Sequence, residues 1–401
     1  MHQPVQGPGR VPTVGVEEEF FVVRADSRAP EPAGSRVVAR ARGAVGDLVA
    51  GEFHESQIEV RTPPCGDADE VHRALVSVRS AAAAAARAEG LALCASGTPV
   101  IGGPGARVVG DHPRYRAGVR QFGAMLDDFT VCSAHVHVHV PERETAVMAG
   151  NHVRPWLPLL IAMSANSPFF HGRDTGYASW RTVVRLGFPA LSAPPYADSA
   201  AHYERLTAVL EASEAMLDAN NPFWDLRPNP RVPTLEVRVM DVSADPADTA
   251  ALAALVRALV VRSVTLVRQG DPGPRTCGEL LRASYWRAAR DGWAGAGVDG
   301  TAEEVVPFEV QAARLVGQVR EVLAECGDLD RVTAFLGRLA ARGCGAQRQR
   351  ALWQRRHRPA DVVDGLLAGA GSSATGGTGG HDATAERGTS VRRRAGDTGL
   401  V

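Results

Sequence analysis

The sequence contains no lysine: all 44 of its basic residues, in a chain of 401, are arginine. This absence excludes lysine-dependent mechanisms such as a Walker A phosphate loop or Schiff-base catalysis. A bound phosphate or carboxylate would therefore be held by arginine forks, backbone amides or a metal ion. The formal net charge is −1, so no global electrostatic field indicates binding to nucleic acid or to an acidic membrane surface.

Paired cysteines and long apolar segments are missing as well. The six cysteines are dispersed without a CxxC pair, which argues against a zinc ribbon or a disulfide framework. We find no apolar run of the roughly 18 residues that cross a bilayer, and the N-terminus lacks the apolar segment of a secretory signal. We therefore expect a globular cytoplasmic protein that binds neither a membrane nor nucleic acid.

Hydrophobic residues make up 45% of the chain and lie mainly between two polar ends. Residues 1–11 are interpreted as a flexible leader. Residues 368–401, rich in Gly, Ser and Thr, are interpreted as a disordered tail, because such a composition buries too little apolar surface to fold. Residues 12–367 are expected to form a single domain. Capping residues, apolar periodicity and terminal glycines predict helices at 69–89 and 246–269, and the last third is predicted to be mostly helical.

Four segments combine strand-like alternation with an unusual polar face: GVEEEF (15–20), QIEVR (57–61), HVHVHV (135–140) and TLEVRVMD (234–241). Residues two apart in a strand share a face, so each segment has an apolar side. The four segments together predict an antiparallel sheet with one face on the core and one charged basin. The basin side carries Glu17, Glu19, Gln57, Glu59, Arg61, His135, His137, His139, Glu236 and Arg238.

The carboxylates of this basin need cations. Two carboxylates about 6 Å apart repel by roughly 3 kcal/mol at an effective dielectric constant of about 20, and Glu17 and Glu19 are about 6.7 Å apart along a strand. Ligation by glutamate favours Mg²⁺ or Mn²⁺ over zinc, and such ions beside arginine are typical of triphosphate chemistry. Glu18 points to the opposite face and needs its own partner, for which an arginine is one candidate.

Two alternatives stay open on these patterns alone. GVEEEF is also compatible with an edge strand whose glutamates are solvated. The three alternating histidines of HVHVHV are compatible with a zinc-dependent hydrolase.

Longer stretches match a known family in order and spacing: GVEEEF, ESQIEVRTPPC, CSAHVHVHVPE, ANSPFFHGRDTGYASWR, WDLRPNPRVPTLEVRVMD and WRAARDG. Over about residues 13–360 the sequence resembles the carboxylate–amine ligases, also called glutamate–cysteine ligase type 2. The resemblance implies an α+β, glutamine-synthetase-like fold, in which helices pack on the outer face of a curved antiparallel sheet. It also implies that ATP phosphorylates the γ-carboxylate of glutamate, and that an amine, nominally that of cysteine, attacks the acyl phosphate.

The resemblance also implies roles for individual residues. Arg238 would face the phosphates of ATP as a catalytic residue. Ser133 and His139 stand where the family pattern has glycine, which puts metal identity and substrate fit in question. Asn229 stands where a histidine is usual, which weakens any role for that side chain. The implied ligands of Mg²⁺, with Mn²⁺ as an option, are Glu17, Glu19, Glu59, His137 and Glu236.

The segment 164–185 offers arginine forks and hydrogen-bonding groups suited to an amino acid substrate. Arg181 is predicted to bind the α-carboxylate and is counted with Arg238 as catalytic; a surface loop in which Arg173 merely pairs with Asp174 is the alternative. The expected partners are glutamate, an amine acceptor and ATP, with a homodimer as an option and an acceptor other than cysteine as an alternative. The predicted substrate-binding residues are Asn166, Arg173, Tyr177, Arg181, Arg185 and Arg227.

Overall fold

The computed structural model describes residues 11–300 and 302–368. The leader and the tail, predicted at 1–11 and 368–401, lie outside these ranges except for residues 11 and 368, so the limits of the expected single domain stay predictions. The strands are β1 (Val14–Arg24), β2 (Val49–Gly51), β3 (Gln57–Arg61), β4 (Leu91–Cys94), β5 (Ser133–His139), β6 (Phe169–Phe170), β7 (Arg173–Asp174), β8 (Leu226–Pro228), β9 (Thr234–Asp241), β10 (Ala296–Asp299) and β11 (Glu304–Pro307).

The helices alternate irregularly with these strands and dominate the last third of the chain, as predicted. They are α1 (Gly34–Val45), α2 (Ala68–Ala88), α3 (Pro113–Phe122), α4 (Arg143–Val153), α5 (Leu157–Ser164), α6 (Trp180–Leu186), α7 (Ala200–Ala212), α8 (Pro246–Arg268), α9 (Gly278–Asp291), α10 (Phe308–Glu325), α11 (Leu329–Arg342), α12 (Gly345–Arg356) and α13 (Pro359–Asp364). Short 3₁₀ helices lie at Gly46–Leu48, Pro104–Arg107, Gly123–Leu126, Arg154–Trp156 and Gly292–Ala294.

A seven-stranded antiparallel sheet organises the fold. The strand order is β2-β3-β1-β5-β9-β8, and β4 pairs with the second half of β1. All four alternating segments seen in the sequence are neighbours in this sheet, in the order β3, β1, β5 and β9. The α+β class is therefore confirmed. Two separate ribbons, β6 with β7 and β10 with β11, complete the strands of the described residues.

The apolar faces of the central strands bury against helices. Val16, Val136 and Val237 belong to one hydrophobic core that also contains the buried sides of α4, α5 and α8. A second core joins the other half of β1 to α1, α2 and β4. Because side chains alternate along each strand, packing one face against helices leaves the charged face free to form a site.

Helix α8 is the central helix of the larger core. It begins as predicted, since the side chain of Asp245 accepts a hydrogen bond of 2.8 Å from the backbone N–H of Ala247, and Pro246 occupies the first turn. By length and composition α8 could cross a membrane, so the expectation that no segment meets this criterion is wrong. However, 67% of its apolar window is buried inside the protein, where it packs against α2, α4, α10 and α11. The helix is therefore accounted for by the core.

Candidate active site

The central strands divide their side chains between two faces as the alternation predicts. Glu17 lies opposite His135 of β5 and Arg61 of β3 in the register, and Glu19 lies opposite Glu59. These side chains lie together on the face of the sheet that the helices do not cover. The sheet therefore brings the five predicted metal positions to one surface: Glu17, Glu19, Glu59, His137 and Glu236.

His137 is aimed into this surface. Its Nε2 atom lies 3.5 Å from Glu17 Oε2 and 3.9 Å from Glu236 Oε1. Its Nδ1 atom is 3.1 Å from the hydroxyl of Thr234, which fixes the ring. Within the described residues, the buried Nε2 atom has no hydrogen-bond partner. An orphaned imidazole nitrogen between two carboxylates is the arrangement expected of a cation ligand.

His135, which the family pattern did not place among the metal positions, lies in the same cluster. Its Nδ1 atom is 3.3 Å from Glu17 Oε2, and its Nε2 atom is 3.6 Å from Glu19 Oε1 and 2.8 Å from the hydroxyl of Ser133. Burial, followed by the positive charge of Arg238, lowers the pKa of His135. The ring is therefore neutral at pH 7 and has a lone pair to offer.

A third carboxylate group contains a residue that the sequence patterns missed. Glu52 follows β2 directly and belongs to none of the alternating segments, so no periodicity marked it. Burial, together with the charge of Glu19, raises the pKa of Glu52 to about 8. Burial and the neighbouring Glu17 and Glu52 also raise the pKa of Glu59 well above its ordinary value. Arg61 donates a hydrogen bond of 2.6 Å to Glu59, but this one guanidinium does not offset the crowding, since the pKa of Glu59 is still raised.

Three sets of ligand atoms are close enough to share an ion. Within each set the candidate ligand atoms all lie within 4.8 Å of one another. Neighbouring sets share Glu17 or Glu59, so the surface could hold adjacent ions. The sets are Glu17 with Glu59 and His135, Glu17 with His137 and Glu236, and Glu19 with Glu52 and Glu59.

Arginines neutralise one edge of the surface. Glu236 accepts hydrogen bonds from Arg227 at 2.9 and 3.2 Å, from Asn229 at 2.7 Å and from Arg238. Although burial acts in the opposite direction, Arg238 and Arg227 hold the pKa of Glu236 well below its ordinary value. Arg238 also lies 3.4 Å from His135, so its guanidinium borders the carboxylate cluster. Arg227 and Asn229 therefore orient Glu236, and the substrate contact predicted for Arg227 is not what its buried position suits.

Arg181 does not lie on the basin surface. Its side chain is fully buried, and its guanidinium donates to the carbonyls of Val239 at 3.0 Å and Arg238 at 2.8 Å. A substrate carboxylate cannot reach a guanidinium enclosed in this way, so the predicted role of Arg181 is corrected: it supports the backbone of β9. Asn166 is likewise buried and donates to the carbonyls of Ala95 and Val242, at 2.9 and 2.8 Å.

Two other predicted substrate-binding residues of this segment, Arg173 and Tyr177, contact tryptophan side chains. Arg173 is exposed and lies over the ring of Trp180, 5.9 Å from its centroid. Tyr177 accepts a hydrogen bond of 3.2 Å from the indole of Trp286. Asp174 pairs with Arg350 instead of Arg173, at 2.7 Å. Neither Arg173 nor Tyr177 touches the carboxylate cluster, so their substrate contacts are not supported by the geometry.

A cavity of about 150 Å³ adjoins the carboxylate cluster. Most of its walls are aromatic or aliphatic, and Arg185 is the one residue of the predicted substrate set that lines it within the described chain. No sequence pattern predicts this cavity, because its walls come from strands, helices and loops that are far apart in the chain. Its lining includes Glu19, Glu52, Phe53, Gln57, Arg114, Tyr115, Phe122, Phe129, Ser133, Arg185, Phe188, Phe223 and Arg238.

Solved structures of low sequence identity share this fold. The glutamate–cysteine ligase of Francisella tularensis, solved with AMP, superposes with a TM-score of 0.64 at 12% identity, covering 89% of this chain and 88% of its own. A bifunctional glutathione synthetase from Pasteurella multocida gives a TM-score of 0.63 at 14% identity, over 88% of this chain and 52% of its own. The expected glutamine-synthetase-like fold is thereby confirmed.

Sequence comparison reaches further. Residues 13–375 match the model of glutamate–cysteine ligase family 2. A protein of Saccharopolyspora erythraea, provisionally named glutamate–cysteine ligase 2-1, is 42% identical over 88% of this chain and 94% of its own length. A relative from Mycobacterium sp. strain KMS, provisionally named glutamate–cysteine ligase 2-2, is 42% identical over 88% of this chain and 97% of its own. The chain therefore belongs to glutamate–cysteine ligase family 2 and is a ligase that joins a carboxylate to an amine.

Proposed function

We propose that this ligase uses ATP to phosphorylate the γ-carboxylate of glutamate and then joins the acyl group to an amine. The observation that carries the proposal is the cluster of Glu17, Glu19, Glu59, His137 and Glu236, bordered by Arg238, on one face of the sheet. An AMP complex of a solved structure with this fold supports a nucleotide substrate. Cysteine, giving γ-glutamylcysteine, is the nominal acceptor, and a different amine is the alternative.

The donor set fits Mg²⁺, with Mn²⁺ as an option. Most of the candidate ligands are carboxylates, which hard divalent cations prefer. The raised pKa values of Glu52 and Glu59 indicate that these crowded carboxylates need more counter-charge than Arg61 beside Glu59 supplies, and the orphaned Nε2 atom of His137 offers a further ligand. The ions would neutralise charge on the triphosphate and hold it against glutamate. The residues that would hold them are Glu17, Glu19, Glu52, Glu59, His135, His137 and Glu236.

The protein's own residues supply position and charge. Arg238 lies at the edge of the carboxylate cluster, where its guanidinium can stabilise negative charge on the transferring phosphoryl group. Arg181 donates to the backbone carbonyl of Arg238, and Arg227 donates to the neighbouring carboxylate of Glu236. The attacking carboxylate of glutamate is already ionised at pH 7, so the first step needs positioning and electrostatic stabilisation instead of a base.

The second step requires removal of a proton from the incoming ammonium. A carboxylate of the cluster and His135 are both candidates for this base. His135 is neutral, since burial and Arg238 lower its pKa.

We propose that residues 12–367 form one catalytic domain and that the enzyme works in the cytoplasm. Its partners would be small molecules, without nucleic acid or membrane, and a homodimer is compatible with this role. The zinc hydrolase considered above is set aside, because the chain belongs to a ligase family and its two clustered histidines lie among five glutamates.

The proposal is tested by measuring ADP release with ATP, Mg²⁺, glutamate and hydroxylamine, a small nucleophile that traps an acyl phosphate as the hydroxamate. We expect release and hydroxamate to depend on glutamate and to fall sharply in Glu17→Gln. Val209→Ala, at an exposed position of α7, is the matched control and should behave as the wild type. Turnover that is independent of glutamate, or full activity of Glu17→Gln, would overturn the proposal.

A further inference from the structure

The aromatic cavity beside the carboxylate cluster is too large and too apolar for the side chain of cysteine. Its volume is about 150 Å³, and an apolar protein cavity of roughly this size accommodates a benzene molecule. The side chain of cysteine is a single methylene and a thiol, which would leave most of this space empty. An unfilled apolar cavity costs stability, so a cavity placed at an active site is expected to have an occupant that fills it.

The walls are built from rings that contact one another. Phe53 lies edge-on to Tyr115, with centroids 5.1 Å apart, and to Phe129 at 6.4 Å. Phe188 continues the row, 4.8 Å from Phe129 and 5.5 Å from Phe122. Edge-to-face contacts of this kind favour a further aromatic ring as the guest.

The three arginines that line the cavity are already paired and do not call for an anionic guest. Arg114 pairs with Asp218 at 2.5 Å, Arg185 pairs with Asp225 at 2.6 Å, and Arg238 pairs with Glu236. Each guanidinium is therefore already neutralised by a carboxylate of the protein. This arrangement speaks against the cavity being the site of glutamate, whose two carboxylates need unpaired cations.

The cavity has one polar end, which determines the orientation of a bound molecule. Glu19 and Glu52 belong both to the cavity wall and to the carboxylate cluster. An amine nitrogen at this end would face the place where the acyl phosphate would form, while an apolar body would lie among the phenylalanines. Adenine has two fused rings and is larger than the single ring that a cavity of about 150 Å³ accommodates.

We infer that the cavity binds the side chain of the acceptor, and that the acceptor is an amine carrying one aromatic ring or a comparably bulky apolar group. The inference rests on the proposed function, since it concerns the second substrate of that reaction. It assigns Phe53, Phe129 and Phe188 to acceptor specificity.

The first test compares acceptors with the full-length enzyme. Rates of ADP release are measured with glutamate, ATP, Mg²⁺ and one of 2-phenylethylamine, benzylamine, ethylamine, L-cysteine or hydroxylamine. We expect kcat/KM for the two aryl amines to exceed that for cysteine and ethylamine by at least about tenfold, since each buried methylene contributes about that factor or more. A preference for cysteine or ethylamine would overturn the inference.

The second test changes the wall. Phe188→Ala should lower kcat/KM for 2-phenylethylamine by about 10- to 100-fold while the KM for ATP and that for glutamate stay within about twofold. Phe188→Leu, which keeps most of the bulk, should retain more of the aryl-amine activity, and thermal melting checks that both variants fold. An increase in the KM for ATP or glutamate, with the acceptor preference unchanged, would assign the cavity to that substrate and overturn the inference.

Hydroxylamine separates the two proposals. Hydroxamate formation without an aryl-amine preference refutes the acceptor assignment and leaves the ligase reaction standing. Absence of glutamate-dependent hydroxamate refutes the ligase reaction itself, and the acceptor assignment falls with it.

Discussion

Adjacent glutamates on β1 meet opposite environments. Glu18 faces the helices, where Arg79 of α2 grips both of its oxygens at 2.5 and 2.7 Å and the hydroxyl of Thr249 donates at 2.7 Å. Glu17 and Glu19 face the other way, into a crowd of carboxylates and imidazoles. The arginine anticipated as partner of Glu18 is therefore confirmed. A carboxylate with fixed protein partners stabilises the fold, whereas carboxylates that are crowded together favour the binding of a cation.

Among variants on the two faces of β1, Glu18→Gln is expected to have the largest effect, a loss of stability. The change leaves the guanidinium of Arg79 buried without its counter-charge, which costs about 3–5 kcal/mol of the free energy of unfolding. Urea denaturation followed by circular dichroism measures it. Asp26→Asn removes an exposed ion pair with Arg24 and is the control, expected to cost at most about 1 kcal/mol. Equal losses in the two variants would contradict the structural role of Glu18.

On the opposite face, Glu59→Gln should separate activity from stability. Its carboxylate is buried beside Glu17 and Glu52, which raises its pKa. Removing the charge relieves repulsion, and its partner Arg61 is exposed enough to be solvated, so the metal-free protein should be at least as stable as the wild type. Glutamate-dependent ADP release should fall on the order of 100-fold, since a ligand of the phosphate-binding cation is lost. Unfolding of the variant would show that Glu59, like Glu18, is needed for the stability of the fold.

The crowding also predicts how pH acts on the metal-free protein. The pKa of Glu52 is raised to about 8 by burial and Glu19, so the folded state holds its proton more tightly than the unfolded state does. The stability contributed by that proton is complete below about pH 4.5 and is lost as pH rises towards 8. Melting temperatures in EDTA should therefore fall between pH 6 and pH 8.

Magnesium ions should oppose this loss. Excess Mg²⁺ should raise the melting temperature more at pH 8 than at pH 6, because the cation replaces the proton as the counter-charge. Glu52→Gln is the matched variant and should flatten the pH dependence in EDTA. A melting temperature in EDTA that rises towards pH 8 in the wild type, with no change in Glu52→Gln, would refute the argument.

The smallest effect is expected from His139→Ala. His139 stands where the family pattern has glycine, which raised the question of a third imidazole ligand. In the described chain it belongs to none of the three candidate ligand sets, whereas His135 and His137 do. ADP release should therefore change by about twofold or less, while His137→Ala should lose most activity. A loss in His139→Ala as large as that in His137→Ala would make it a ligand.

The charged surface was largely predictable because alternation is local. A strand has a side-chain period of two, so the segments around Glu17, Glu59, His137 and Glu236 separated polar from apolar residues before any contact was known. The cap of α8 was visible for the same reason, since Asp245 bonds to backbone only two residues away.

The predicted substrate loop shows where local patterns stop. Arg181 has the chemistry of a carboxylate ligand, but the packing of α6 against β9 turns its guanidinium to backbone carbonyls. Whether an arginine faces a substrate or the protein depends on the groups that surround it in space, and these are distant in the chain.

Residue type and spacing by themselves determined which side chains share a face, because that follows from the geometry of a single strand. Only the tertiary structure decided which of them meet: Glu52 joins the carboxylates from outside any pattern. Phe53, Phe129 and Phe188, separated by some 60 residues or more, enclose one cavity beside them. Contacts of this range arise when the sheet and its loops pack together, since no local period connects their positions.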